Sequence, residues 1–120
     1  MSDHLPSPPP PAVGADLWES VEGLYEWLDA NRPVDGPDGV LLRILKLSEE
    51  VGEVGEVAQA VIGVTGQNPR KGTTHTWDDV RSELCDVAVT ALVALRTLTP
   101  DAREVLTRHL EGLTRRSLGE

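Results

Sequence analysis

Two pairs of acidic residues in this chain share the spacing of one helical turn. Glu50 and Glu53 lie three residues apart, and Glu83 and Asp86 repeat the spacing further along. Residues three apart on a helix are neighbours on its surface, so both members of a pair can reach one point. Clustered carboxylates bind hard divalent cations through oxygen. We therefore interpret the four acids as candidate ligands of Mg²⁺, with Mn²⁺ as the alternative ion.

The residues around the second pair favour a metal site over a solvated surface. Residues 87–95, VAVTALVAL, are apolar except for Thr90, which indicates a helix enclosed by other helices. Enclosed carboxylates without a cation cost on the order of several kcal/mol each. Lys46, one turn before Glu50, balances only one of the four negative charges. Four carboxylates are more than one Mg²⁺ normally takes, so the pattern predicts two ions once substrate is bound. The alternative for either pair alone is an ordinary solvated helix face.

Four helices are predicted to position these acids in an all-α fold of the four-helix-bundle type. The expected limits are Asp16 to Asn31–Pro33, about 40–62, a Thr76 cap to Leu98, and Thr99–Pro100 to about Arg116. On the second helix, alternating steps of four and three predict bundle packing along a seam of Val40, Ile44, Leu47, Val51, Val54, Ala58 and Val61. One domain over residues 15–117 is expected, after a Pro-rich tail at 1–14 that is expected to be disordered.

Two segments carry a resemblance to a known family. The stretches KLSEEVGEVGEVAQA at 46–60 and ELCDVAV at 83–89 resemble the MazG-like all-α nucleotide pyrophosphohydrolases, whose signature is EExxE on one helix and ExxD on the next. The resemblance implies that Glu50, Glu53, Glu83 and Asp86 hold Mg²⁺, and that Glu49 joins Glu50 and Glu53 in catalysis. It implies that metal-activated water attacks the α-phosphorus of a nucleoside triphosphate, which releases pyrophosphate and a monophosphate. It also implies a homodimer or homotetramer.

Further residues are candidates for holding the substrate. The loop at 63–76 offers Asn68, Arg70 and Lys71, and cationic side chains suit the β and γ phosphates. Lys46 and Thr90 are the other candidates, although a helical threonine more often bonds the carbonyl four residues back. Trp18, Trp27 and Trp77 are able to stack a base, but filling the core is the commoner role of each.

Charge and composition exclude other functions. A net charge of −9 opposes binding to polymeric nucleic acid, which requires a basic surface. Cys85 is the single cysteine, so no intrachain disulfide forms, and a buried structural thiol is expected. The three histidines, His4, His75 and His109, are expected at the surface. With no apolar run long enough for a membrane span and no signal-peptide pattern, a soluble cytoplasmic protein is predicted.

Two alternatives to a general triphosphate pyrophosphohydrolase stay open at this point. The first is a phosphoribosyl-ATP pyrophosphohydrolase, which shares the acids. The second is a helical module without catalytic activity that binds nucleotide, metal or a protein partner.

Overall fold

The computed structural model describes residues 16–31, 36–63 and 75–119 of the chain. Within these ranges the backbone forms no strand and four helices: α1 (Leu17–Asn31), α2 (Gly36–Ile62), α3 (Trp77–Leu98) and α4 (Ala102–Ser117). The predicted all-α fold class is confirmed. None of the described helices is long and apolar enough to cross a membrane. The tail at 1–14 lies outside the described residues.

Capping by side chains fixes the starts of α1 and α3 where the sequence predicts them. At α1 the Glu19 amide donates to Asp16 Oδ1 at 2.7 Å, and the Asp16 amide donates to Glu19 Oε1 at 3.3 Å. At α3 the Thr76 amide donates to Asp79 Oδ2 at 2.9 Å, and the Asp79 amide donates to Thr76 Oγ1 at 3.4 Å. Both are reciprocal capping boxes, which satisfy amides that have no partner in the first turn of a helix.

The starts of α2 and α4 differ from the prediction. Helix α2 begins at Gly36, earlier than the expected start near Val40. Gly36 has a φ of +65°, which glycine adopts without strain, and Pro37 follows in the first turn, where its missing N–H is tolerated. Helix α4 begins at Ala102, because Thr99 Oγ1 accepts from the Asp101 amide at 3.1 Å and so caps a turn that precedes the helix.

The chain divides into two compact units. One contains α1, the end of α3 from Leu92, and α4, and the other, Asp35–Ala91, contains α2 and the start of α3. Helix α3 runs through both units. The single domain over residues 15–117 stays a prediction.

The first unit has most of the buried apolar side chains. Val21, Val93, Ala94 and Ala102 are all buried in it. Arg96 donates from Nε to Glu22 Oε1 at 2.6 Å and from Nη2 to Oε2 at 3.0 Å, and its guanidinium lies 4.0 Å from the centroid of the Tyr25 ring. This bidentate, ring-stacked contact holds α1 against the end of α3.

The second unit is much more open. Val80 is the one buried hydrophobic side chain among its described residues. Along the predicted α2 seam, Ile44 and Val51 are exposed and the other members are half-buried. The seam is therefore only partly packed, because contact on one side shelters only part of the circumference of a helix.

Candidate metal centre

Helix α2 has a sheltered face, which we define by its half-buried residues Arg43, Leu47, Glu50, Val54, Val57 and Val61. At 3.6 residues per turn these six positions fall within an arc of about 80°. Glu50 lies inside that arc, with Leu47 and Val54 about one turn to either side. A carboxylate therefore lies among aliphatic side chains, two turns after the half-buried Arg43.

The other acids of α2 lie on a neighbouring exposed face, which also carries Lys46. Glu49, Glu53 and Glu56 are all exposed. Glu49 and Glu53 are four residues apart and so lie on the same side of the helix. Glu53 is also about 60° around the helix from Glu50, so it stands at the border between the exposed face and the sheltered one.

Of its two candidate ligands, helix α3, like α2, has one half-buried acid, which we call the inner acid, and one exposed acid. Glu83 is half-buried, one turn after the buried Val80 and one turn before the half-buried Val87. Asp86, at the spacing of Glu53 from Glu50, is exposed. All four acids belong to the same unit. The structure thus places one half-buried and one exposed candidate ligand on each of the two helices.

One carboxylate oxygen of Glu50 has no hydrogen-bond partner among the described residues. Glu50 Oε1 is inaccessible to solvent, and in the described part of the chain nothing hydrogen-bonds to it. Lys46, which the sequence offers as a counter-charge, is exposed and does not satisfy this atom. A buried carboxylate oxygen without a donor is costly, and a cation is the partner that would remove the cost.

The fit of a divalent cation rests on this atom and on the donor chemistry. Oxygen donors alone suit Mg²⁺ or Mn²⁺. Among residues 16–31, 36–63 and 75–119, no three His, Cys, Asp or Glu side chains are arranged so that they could hold a metal ion. The described residues thus provide one half-buried candidate ligand that lacks a hydrogen-bond partner among them, and metal binding and the ligand shell stay predictions.

Asp79 lies one turn before Glu83 on α3 but has another role. Its carboxylate accepts from Thr76 in the capping box, and it lies 3.8 Å from His75 Nδ1. His75 is exposed, as predicted. A carboxylate occupied in this way caps the helix, which separates it from the four candidate ligands.

The candidate substrate-binding residues divide into two groups. Lys46 is exposed on α2, and Thr90 is half-buried on α3, two turns after Glu83. Asn68, Arg70 and Lys71 lie outside the described residues. Their predicted contact with phosphate stays a prediction.

Two expectations about single residues are wrong. Cys85 is exposed, so it is not a buried structural thiol. Trp77 is 55% exposed, so it does not fill a core, whereas Trp18 and Trp27 are half-buried. The apolar run after Asp86 suggested enclosure all round, but Ala88 is exposed and full burial begins only at Val93. Whether Cys85 and Trp77 are buried depends on which side of α3 is covered. The amino-acid composition does not determine that side.

Comparisons of the chain with protein-family models, curated proteins and solved structures give no match. The resemblance to MazG-like enzymes therefore rests on residues 46–60 and 83–89.

Proposed function

We propose that this chain is a Mg²⁺-dependent nucleoside triphosphate pyrophosphohydrolase, which converts a ribo- or deoxyribonucleoside triphosphate and water into the monophosphate and pyrophosphate. The observation that carries the proposal is Glu50 on the sheltered face of α2, a carboxylate with a buried oxygen that has no hydrogen-bond partner among the described residues. Glu83 supports it, because an acid in the same setting on α3 belongs to the same unit.

The proposed ligands are Glu50, Glu53, Glu83 and Asp86. A bound Mg²⁺ would neutralise phosphate charge and lower the pKa of water, and Mn²⁺ is the alternative ion. Two ions are proposed with substrate present, because four carboxylates exceed what one Mg²⁺ normally takes from a protein.

The remaining roles fall to side chains of the chain itself. Glu49 is proposed to orient the attacking water and accept its proton as the oxygen bonds to the α-phosphorus. The anhydride bond between the α and β phosphates breaks, and pyrophosphate leaves with the bonding electrons. Lys46 and Thr90, with the loop residues Asn68, Arg70 and Lys71, are proposed to hold the phosphates. The proposal includes a homodimer or homotetramer.

The first experiment measures the products. The full chain is incubated with Mg²⁺ and each of the canonical, deoxy and oxidised triphosphates, and phosphate is measured with and without added inorganic pyrophosphatase. We expect phosphate only when pyrophosphatase is present, and none in EDTA. Orthophosphate without the auxiliary enzyme would indicate cleavage at the γ phosphate and contradict the proposal. Including phosphoribosyl-ATP in the panel separates the general enzyme from that alternative.

The second experiment tests the two inner acids. We expect Glu50→Gln and Glu83→Gln each to lower kcat by a factor of about 100 or more, because each removes a charge that holds the metal. Glu111→Gln is the matched control, since Glu111 is exposed on α4 and takes no part in the site. Circular dichroism checks that the variants fold. Full activity in both inner-acid variants, or Mg²⁺ binding without turnover on any nucleotide, would reject the enzyme.

A further inference from the structure

Helix α2 has an uncharged stripe, formed by the exposed residues Leu45, Ser48, Gly52, Gly55, Gln59 and Ile62. The spacing alternates between three and four residues, so the six positions follow one side of the helix. This side lies nearly opposite the sheltered face and borders the face that carries Glu49, Glu53 and Glu56. Leu45 is 50% exposed and Ile62 is 58% exposed.

The composition of the stripe does not suit a face in contact with water. The exposed neighbours Leu41, Ile44 and Val51 extend its apolar surface. From Leu45 to Ile62 the stripe is about 26 Å long, and a helix with side chains is about 10 Å wide. An exposed apolar surface of that size marks an interaction site more often than a solvated surface.

The contacts of residues 16–31, 36–63 and 75–119 do not explain the two glycines of the stripe. Each costs about a factor of five in helix equilibrium relative to alanine. Among the described residues, a Cβ added at Gly52 or Gly55 would meet nothing within 4 Å, so neither glycine makes room for another described part of the chain. Glycine on an exposed helix face is explained when another backbone approaches it closely.

We propose that the uncharged stripe is the contact between two copies of this chain, with their α2 helices packed antiparallel about a two-fold axis between Gly52 and Gly55. This identifies the surface used by the oligomer that the proposed function includes. In antiparallel packing with the three-four spacing, Leu45 faces the partner's Ile62, Ser48 faces the partner's Gln59, and Gly52 faces the partner's Gly55. Large residues meet large ones, polar residues meet polar ones, and the glycines meet at the centre.

The like-for-like pattern of the stripe indicates a second copy at this face, and charge limits where that copy can pack. Each chain has a net charge of −9, so two copies repel each other over most of their surfaces. The stripe has no charged residue between Leu45 and Ile62, whereas the next face of α2 carries Glu49, Glu53 and Glu56. Antiparallel packing along the stripe thus keeps charged side chains out of the centre of the contact, while Glu49 and Glu56 flank it beside the partner's Glu56 and the partner's Glu49.

Sedimentation of the full chain without nucleotide or Mg²⁺ tests the surface independently of catalysis. We expect a monomer–dimer equilibrium whose Kd rises by about tenfold or more in Leu45→Lys, because a charge is placed inside an apolar contact. Leu42→Lys is the matched control, since Leu42 is a leucine of α2 with 52% exposure that lies outside the stripe. Equal effects of the two substitutions, or a monomer up to about 0.1 mM, a concentration at which specific pairs associate, would overturn the proposal.

A pair of double variants tests the antiparallel register. Ser48→Lys with Gln59→Glu places opposite charges at facing positions, and Ser48→Lys with Gln59→Lys places like charges there. The two positions are too far apart on one helix to interact within a chain. We expect the first variant to dimerise at least about tenfold more tightly than the second. Equal Kd values would reject the register. Activity lost while the dimer persists would reject only the proposed chemistry, and a monomer that still releases pyrophosphate would reject only this surface.

Discussion

At the scale of single residues, Glu50 is a carboxylate whose placement weakens the metal-free protein. Its Oε1 atom is buried without a hydrogen-bond partner in the part of the chain that the structure describes, and leaving a buried acceptor unsatisfied costs about 1–3 kcal/mol. In EDTA we expect Glu50→Gln to raise the free energy of unfolding by about 1 kcal/mol, because a neutral amide is cheaper to bury than a carboxylate. Urea unfolding followed by circular dichroism measures the change.

The same variant also separates a metal ligand from a strained acid. If Glu50 binds Mg²⁺, the ion stabilises the native chain by mass action, and the variant responds much less. Glu111→Gln should behave like the native chain with and without Mg²⁺. An equal Mg²⁺ response in all three proteins would remove Glu50 from the metal site.

Glu22 predicts how stability depends on pH. The two hydrogen bonds from Arg96 lower the pKa of the Glu22 carboxyl below its ordinary value of 4.5. A pKa lowered by folding contributes stability that is present above the unfolded value and is lost as pH falls through the folded value. Because Glu22 is partly exposed, we expect this contribution to be about 1 kcal/mol.

Unfolding of the native chain and of Glu22→Gln at a series of pH values checks this contribution. The difference in stability should be constant above about pH 5 and shrink as the pH falls through the lowered folded pKa of Glu22, until the carboxyl is protonated in both states. A difference that persists unchanged at low pH would show that Glu22 acts through packing rather than charge.

The candidate acids were predictable from the sequence, but which of them are half-buried and which are exposed was not. The helical spacing identifies all four, because it requires only the period of the helix. That Glu50 and Glu83 are half-buried while Glu53 and Asp86 are exposed depends on which side of each helix is covered. The same dependence explains why the burial of Cys85 and Trp77 was predicted wrongly.

At the scale of helices, the capping box of α3 assigns Asp79 to structure. We expect Asp79→Ala to lower stability by about 1 kcal/mol, because the Thr76 amide loses its acceptor. The rate of pyrophosphate release at saturating Mg²⁺ should remain within about twofold of the native rate, since a cap lies outside the ligand set. A large fall in kcat with unchanged stability would instead place Asp79 in the site.

Helix limits were predictable wherever side chains fix them locally. The boxes Asp16–Glu19 and Thr76–Asp79 define the starts of α1 and α3, and each box involves only residues that are close together in the sequence. At α2 the pair Gly36 and Pro37 suits a turn and the first turn of a helix equally well, and the structure uses it for the helix. Such signals are ambiguous because the same backbone preference serves both conformations.

At the scale of the whole molecule, the low burial in the second unit and the net charge of −9 have opposite effects on self-association. Exposed apolar side chains on α2 favour a partner, while the shared negative charge resists a second copy. At the uncharged stripe, the attraction between apolar side chains exceeds the repulsion between the negatively charged chains. This balance depends on salt, because screening acts on the repulsion and leaves apolar contact in place.

Ionic strength therefore tests the interface of the native dimer. Raising NaCl from about 0.05 M to about 0.5 M shortens the screening length severalfold, so we expect Kd to fall by about threefold or more. The double variant Ser48→Lys with Gln59→Glu is the control, because its added ion pairs weaken in salt and should reduce this gain. Sedimentation at each salt concentration measures both proteins. A native dimer that weakens with salt would indicate an interface held by charge pairs, which the uncharged stripe does not provide.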